Sequence, residues 1–222
     1  MVNTHPRDLQ SILPSTIETY NTWVSSHNTA HTVDNLAADN STRLLWIGPK
    51  KAKNVVLFFH GGGYVMPLSK GHLDWMAHVR NEAINAGVEL SVCILAYGRW
   101  LSADVLSKKV VHEWGLYLVE NSPWKEEVSA GKGWGMALDV PESWWNNFEA
   151  VDHVLVTGGS EEVFSDHIQR LAQMLERKSI GDVTLFMGNE AHDGPLMDFS
   201  AGKLPSQTTK TITDFVISCL RE

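Results

Sequence analysis

The stretch that most constrains the fold of this chain is an apolar run followed at once by a histidine and three glycines, NVVLFFHGGGY at residues 54–64. A short run of β-branched and aromatic residues predicts a buried strand, here over 55–60. Glycines after it let the backbone approach a ligand closely, because no Cβ stands in the way. The pattern predicts main-chain N–H groups that face a negative charge, although a plain glycine turn after a buried strand fits the same residues.

Strand-like and helical segments alternate along most of the chain. Apolar runs predict strands over 42–48, 55–60, 88–97, 151–159 and 181–188. Helical periodicity predicts helices over 7–26, which Pro14 interrupts, and over 70–86, 104–120, 162–178 and 206–220, with a Trp- and Gly-rich loop at 121–141. This alternation predicts an α/β fold: a three-layer α/β/α sandwich with a mostly parallel sheet. Residues 1–30 then form an N-terminal lid or bracing helix, and 104–148 a cap-like helical insert.

Length and charge exclude several classes of protein. The 222 residues, of which 43% are hydrophobic, suffice for a single domain over 1–222 and are too few for two. A net charge of −8 gives no electrostatic footprint for nucleic acid. Because no run of ~18 apolar residues and no signal-like start occurs, we expect no integral membrane segment and a soluble, cytoplasmic protein.

Metal and redox sites are not predicted. Cys93 lies in a strand-like run and Cys219 in the last helical segment, so buried thiols are favoured over a disulfide. His153 and His167 flank an acidic segment but lack a third ligand at a sensible spacing. We therefore expect no metal and no other cofactor.

Three blocks, in this order, carry a resemblance to a known family: NVVLFFHGGGYVM at 54–66, VLVTGGSEEVFSDHIQRLAQMLE at 154–176, and EAHDGPLMDF at 190–199. They resemble the oxyanion-loop, acid and histidine blocks of the α/β-hydrolase fold, and within it the hormone-sensitive-lipase-like carboxylesterases, particularly fungal ones. The resemblance implies an α/β-hydrolase sandwich and a serine hydrolase activity on carboxylic esters.

The resemblance gives the glycine loop a chemical role. Acyl transfer develops charge on the carbonyl oxygen, and N–H groups about 3 Å from that oxygen stabilise it. In the family these donors are backbone N–H groups of the glycine loop, which implies Gly62 and Gly63 here, with His60 and Gly61 shaping the loop.

The acid and the histidine follow two later strands. The spacing of the family implies Glu162 as the carboxylate that orients a histidine, with Glu161 as the second choice, although either could simply favour the first turn of the next helix. Asp166 fits a helix-surface residue better. His192 stands in a polar loop after a strand, in the general-base position of the order Ser…Asp/Glu…His, although an exposed loop histidine fits the same residues.

The nucleophile is missing from this set of motifs. The chain contains no G-x-S-x-G: GKGWGMA at 131–137 copies the glycine spacing without a serine, and Ser160 belongs to the strand assigned to the acid. In the family, the nucleophile strand and elbow lie in a long segment that would fall between Tyr97 and Asp104. We therefore expect a sheet that is incomplete in its central strands. It either has a gap or pairs the strand ending at His60 with the one ending at Gly158.

Three functions remain open from the sequence. The first is a carboxylic-ester hydrolase for a small apolar ester or lactone, in fungal secondary metabolism. Tryptophans that could line an apolar pocket or pack in a lid support it: Trp114, Trp124, Trp134, Trp144 and Trp145. The second is a catalytically silent relative that binds such a molecule or a partner. The third is a lyase or cyclase that uses His192 as acid and base. The sequence sets no oligomeric state.

Overall fold

The secondary structure alternates as the sequence predicts over much of the chain. A computed structural model describes residues 13–36, 42–61, 66–97, 120, 125–130, 138, 140–146 and 151–221. In chain order its elements are α1 (Thr16–His27), β1 (Val33–Asn35), β2 (Thr42–Ile47), β3 (Asn54–Phe58), α2 (Lys70–Asn85), β4 (Leu90–Tyr97), α3 (Lys125–Ser129), a 3-10 turn (Glu142–Trp145), β5 (His153–Gly159), α4 (Ser165–Arg177), β6 (Asp182–Gly188), α5 (Gly194–Ser200) and α6 (Gln207–Cys219).

The chain divides into two compact units. The first unit comprises Met1–Asp104, Pro195–Ser206 and Thr213–Glu222, and the second comprises Val105–Gly194 and Gln207–Ile212. The predicted helix over 104–120 and the expected gap after Tyr97 lie outside the described residues, apart from residue 120. The incomplete central sheet therefore stays a prediction.

The sheet of the first unit is mixed, with the strand order β1-β2-β4-β3. β1 pairs antiparallel with β2, and β2 antiparallel with β4, whereas β3 and β4 are parallel. This differs from the mostly parallel sheet expected from the sequence. The reason is that parallel pairing needs a crossover connection, and α2 supplies one only between β3 and β4.

The core of the first unit surrounds β4. Fifteen buried hydrophobic residues from α1, α2, the sheet and the loops beside α2 form one cluster, and Leu90, Val92 and Ile94 of β4 are at most 1% exposed. Tyr20 of α1 is fully buried, and its hydroxyl donates to the main-chain oxygen of Trp46 at 2.8 Å. The N-terminal helix thus packs on the sheet as part of its core.

The first helix begins later than its apolar pattern predicts. Ser15 Oγ accepts from the N–H of Glu18 at 3.2 Å, and the Glu18 carboxylate accepts from the N–H of Ser15 at 2.8 Å. This reciprocal capping box fixes the helix start at Thr16, directly after Pro14 and Ser15. Residues 7–12 of the predicted helix lie outside the described residues.

Among the strands that the structure describes, β3 lies at one edge of its sheet and has one exposed face, which corrects the expectation of a strand buried on both faces. Val55, Leu57 and Phe59 are 44%, 52% and 56% exposed, while Val56 and Phe58 pack against the core. Side chains alternate across a strand, so a strand packed on one face only buries every second residue. An unbroken apolar run therefore overstated its burial.

The second unit is built on a two-stranded parallel sheet. β5 and β6 pair in register from His153↔Asp182 to Gly159↔Gly188. Met174 and Leu175 of α4 and the following Ile180 form its small buried core, against which Trp145 packs. Two short helices are not predicted by the sequence: α3 falls in the expected loop at 121–141, and α5 begins in the expected polar loop at 189–195 and extends beyond it.

Two further observations concern the whole described chain. Cys93 is buried, Cys219 is half-buried, and both are free thiols. Among the residues that the structure describes, no helix has the length and apolar character needed to cross a membrane.

Candidate functional site

The second unit brings together the acid and the histidine that the sequence singled out. His192 Nδ1 lies 2.6 Å from Glu162 Oε2. The Glu162 side chain is 3% exposed, whereas that of His192 is 34% exposed. Because a carboxylate accepts, Nδ1 carries the shared hydrogen, and Nε2 is the nitrogen that can take up a second proton. The pair thus joins a buried acceptor to a histidine that solvent or a ligand can reach.

Two adjacent parallel strands place this pair. Glu162 follows β5 and His192 follows β6, so both loops leave the sheet at its carboxyl end. Sites of open α/β sheets are built at that end. The order of strand, loop and helix therefore places the two side chains at one end of the β5–β6 pair.

The backbone before Glu162 is shaped to hold its carboxylate. The Gly159 N–H donates to Glu162 Oε1 at 3.2 Å, so both carboxylate oxygens have a partner. A Cβ on Gly158 would lie only 2.9 Å from Oε1. Satisfying the second oxygen offsets part of the cost of burying a charged group.

The structure separates Glu162 from the other acidic candidates. Glu161 is exposed, and its N–H donates to the main-chain oxygen of Glu190 at 3.2 Å. Asp166 lies on the exposed face of α4, where the sequence placed it. Of the three carboxylates, Glu162 is the one that contacts His192.

Two neighbours of His192 were not singled out from the sequence. The Phe164 ring packs edge-on against the imidazole, with centroids 5.7 Å apart. Asp193 adopts the left-handed region at φ 56°, and its Oδ2 lies 3.6 Å from His192 Nε2. The sequence signal for Asp193 is its place directly after the histidine, before a glycine. His192 is therefore flanked by a carboxylate at each nitrogen.

In the first unit, the glycine loop is described up to Gly61. His60 is half-buried at the end of β3, and its Nδ1–H donates to the Gly61 carbonyl oxygen at 2.7 Å. Burial lowers the pKa of His60, and the hydrogen bond to Gly61 opposes that shift. Gly62 and Gly63, the expected oxyanion donors, lie outside the described residues.

A second histidine, His72 of α2, lies beside His60 and was missed by sequence reasoning. Its side chain is buried, and the two rings meet edge-on with centroids 5.6 Å apart. His72 Nδ1 accepts from the Ser69 N–H at 3.1 Å, and the Ser69 hydroxyl lies 2.9 Å from the same nitrogen. Desolvation, followed by the charge of His60, lowers the pKa of His72 to about 4. The S-x-x-H spacing at the start of a helix was the available signal.

The remaining histidine candidates lie apart from any metal-type cluster. His153 Nδ1 is 3.7 Å from the Asp182 carboxylate, and the His167 ring packs edge-on against Phe164. Within the described ranges, no group of three His, Cys, Asp or Glu side chains could hold a metal ion.

The chain resembles known proteins in fold rather than in sequence. No protein-family model and no curated protein sequence matches this chain significantly. Solved structures do match. One of two fungal esterases from Rhizomucor miehei is 13% identical with TM-score 0.56, covering 99% of this chain and 91% of its own. The metagenomic thermostable carboxylesterase EstE1 is 12% identical with TM-score 0.55, covering 99% of each chain. The Francisella virulence factor BioJ is 14% identical with TM-score 0.53, covering 99% and 93%.

Two of these three neighbours are an esterase and a carboxylesterase. At such low identity the likeness concerns the backbone arrangement. The chain therefore shares its backbone fold with solved esterase structures.

Proposed function

We propose that this chain belongs functionally with the carboxylic-ester hydrolases and acts on a small apolar ester or lactone, with Glu162 and His192 as its acid–base pair. One observation carries the proposal: the 2.6 Å contact between a buried Glu162 and a reachable His192, at the carboxyl ends of two parallel strands. An acid that orients a histidine is the arrangement that general-base acyl transfer needs.

The chemistry assigned to His192 follows from its hydrogen bond. Glu162 holds the hydrogen on Nδ1, so Nε2 takes the proton of the attacking hydroxyl group or water while its oxygen bonds to the ester carbonyl carbon. The imidazolium then gives that proton to the leaving alkoxide as the bond between the carbonyl carbon and the ester (alkoxy) oxygen breaks. Glu162 stabilises the imidazolium formed between the two steps.

Asp193 contributes a second charge to this proposal. Its carboxylate lies 3.6 Å from Nε2 and attracts the positive charge that forms on the ring when His192 takes up a proton. The Asp193 side chain is 41% exposed, so solvent screens this attraction, and an incoming substrate can displace it.

The nucleophile remains unassigned. The chain contains no G-x-S-x-G, and by resemblance the oxyanion donors are Gly62 and Gly63, with His60 and Gly61 shaping the loop. In a serine hydrolase, loss of the nucleophile lowers kcat about 10⁶-fold and leaves ~10³ to 10⁴ over water. We therefore expect turnover far below that of a serine hydrolase, with water as the attacking group and His192 as its general base.

A second candidate function is binding without turnover, in which the residues around Glu162 and His192 hold an apolar ester or lactone. The absent serine elbow favours it. The lyase or cyclase alternative also needs His192, but no observation on the described residues favours it over hydrolysis. Fungal secondary metabolism and a cytoplasmic location rest on the resemblance and on composition, and they are part of the proposal.

The test compares His192→Ala with His167→Ala in a p-nitrophenyl ester assay. We expect His192→Ala to lower kcat by about 10² to 10⁴, since general-base catalysis is worth that much. His167 lies exposed on α4, so its alanine variant should hydrolyse at the parent rate.

Two further results bear on the same assay. Equal rates for the two variants would contradict the role of His192 as general base. Robust labelling by a serine-reactive fluorophosphonate would show that the chain does contain a nucleophilic serine. A thermal shift caused by apolar esters without turnover would favour the binding function.

A further inference from the structure

The loops that carry Glu162 and His192 are joined by backbone hydrogen bonds beyond the end of the sheet. β5 and β6 pair up to Gly159↔Gly188. After that, the Ser160 N–H donates to the Gly188 oxygen at 2.8 Å, and the Glu161 N–H donates to the Glu190 oxygen at 3.2 Å. The main-chain oxygen of Glu190, two residues before His192, is therefore hydrogen-bonded to the loop that carries Glu162.

The contact between the two loops leaves no space at Gly159. A Cβ built there would overlap the main-chain oxygen of Glu190 and lie 2.9 Å from that of Ala191. The neighbouring atoms are backbone, so they cannot move aside by a change of rotamer. The peptide that precedes His192 thus packs directly on the loop of the acid.

The side chain of Glu190 folds back onto both ends of its own loop. A Cβ on Gly188, the last residue of β6, would lie 2.8 Å from Glu190 Oε1. A Cβ on Gly194, the first residue of α5, would overlap the Glu190 carboxylate. The half-buried carboxylate therefore lies between the two anchors of the turn that carries His192.

A close acid–histidine contact needs such a constraint. The productive geometry of a catalytic pair must be held within about 0.5 Å, and a displacement of 1 Å can cost about 10²-fold in rate. Among the described residues of the second unit, the hydrophobic cluster has three buried members, and none of them belongs to the loop that carries His192. Glu190 supplies contacts to three glycines around the loop.

We propose that Glu190 is a positioning residue, whose main-chain oxygen and carboxylate together fix the His192 loop against the Glu162 loop. Its carboxylate acts through the geometry of the loop and does not take the proton. This inference rests on the proposed function for the role of His192 alone; the contact that Glu190 maintains is measurable without any substrate.

The first test reads the hydrogen bond directly by NMR. The shared proton between His192 Nδ1 and Glu162 should give a downfield imidazole N–H signal, assigned by its loss in Glu162→Gln. We expect Glu190→Ala to shift or broaden this signal and to move the titration of His192. The control Glu176→Gln, an exposed carboxylate on α4, should leave both unchanged.

The second test is a double-mutant cycle between Glu190 and Gly194. Gly194→Ala should destabilise the parent chain, because its Cβ meets the Glu190 carboxylate. In the Glu190→Ala background the same glycine substitution should cost much less. Equal cost in both backgrounds would show that the carboxylate does not occupy this place, and would overturn the proposal.

The outcomes are separable from those of the ester assay. A folded Glu190→Ala variant with an unchanged downfield signal and an unchanged His192 titration refutes positioning, whatever the turnover. If that variant does not fold, Glu190→Asp, which withdraws the carboxylate by one methylene, is judged by the same two criteria. If the chain hydrolyses no ester but the signal shifts as expected, the proposed function fails and the positioning role stands.

Discussion

The two units of the molecule are stabilised in different ways. Among the described residues, the hydrophobic cluster of the first unit has fifteen buried members around β4, whereas the cluster of the second unit has three beside its two-stranded sheet. The second unit nevertheless holds the Glu162–His192 pair, with backbone hydrogen bonds and glycines packed against backbone. Packing of apolar side chains therefore stabilises the first unit, whereas individual hydrogen bonds and close backbone contacts hold the geometry of the candidate site.

The largest expected effect on stability comes from truncating one core side chain in each unit. Ile94→Ala should lower the free energy of unfolding by about 4 kcal/mol, because Ile94 is fully buried in a crowded cluster. Leu175→Ala should cost about 2 kcal/mol, since the half-buried neighbours of the smaller cluster can close around it.

Urea unfolding of both variants, with hydrogen exchange of the β4 and β6 amides, measures the difference. A larger loss from Leu175→Ala than from Ile94→Ala would contradict the ranking of the two cores. Faster exchange in β4 than in β6 would contradict it independently.

The next effect concerns acid sensitivity within the first unit. The pKa of His72 is lowered from 6.5 to about 4, so between these values the unfolded chain binds a proton that the folded chain does not. Stability should therefore fall by about 3 kcal/mol as pH drops from 6.5 to 4, and this contribution should level off below pH 4.

His72→Asn checks this pH dependence. The Asn oxygen can still accept from the Ser69 N–H, but it does not titrate. Unfolding free energies measured from pH 7 to 4 should show a shallower slope than in the parent, with exposed His167→Asn as the control. Identical slopes in parent and His72→Asn would show that His72 protonates normally in the folded chain.

The smallest expected effect on stability concerns the cap of the N-terminal helix. Ser15→Ala removes the acceptor for the Glu18 N–H and should cost about 1 kcal/mol. Ser25→Ala, at an exposed position later in the same helix, should change stability by less than about 0.5 kcal/mol. Thermal unfolding of the two variants gives the comparison; equal losses would mean that the capping box contributes nothing specific.

Strong apolar runs made much of the fold predictable. The strands at Thr42–Ile47 and Leu90–Tyr97 and the helix at Lys70–Asn85 lie within two residues of their predicted bounds. The three-residue β1 is too short to show a period. No helical periodicity marks the seven-residue α5, although Pro195 at its start is a helix-start signal.

The candidate site was predictable in its residue types more than in its detail. The sequence preferred Glu162 over Glu161 by analogy, but the contact with His192 depends on how the backbone turns after Gly158 and Gly159. The S-x-x-H spacing marks His72 only as a residue of a helix start. Its burial beside His60, and the folding back of Glu190 onto its own loop, depend on tertiary contacts that no local pattern shows.

Gly159 has a consequence for redesign. Since any side chain there would strike the backbone of the histidine loop, a library that samples all twenty residues at this position should return glycine alone among variants that keep the His192 signal. At neighbouring Ser160, which is exposed, the same library should return many residues. Two adjacent codons would then differ sharply in tolerance, and any engineering of the acid loop has to begin after Gly159.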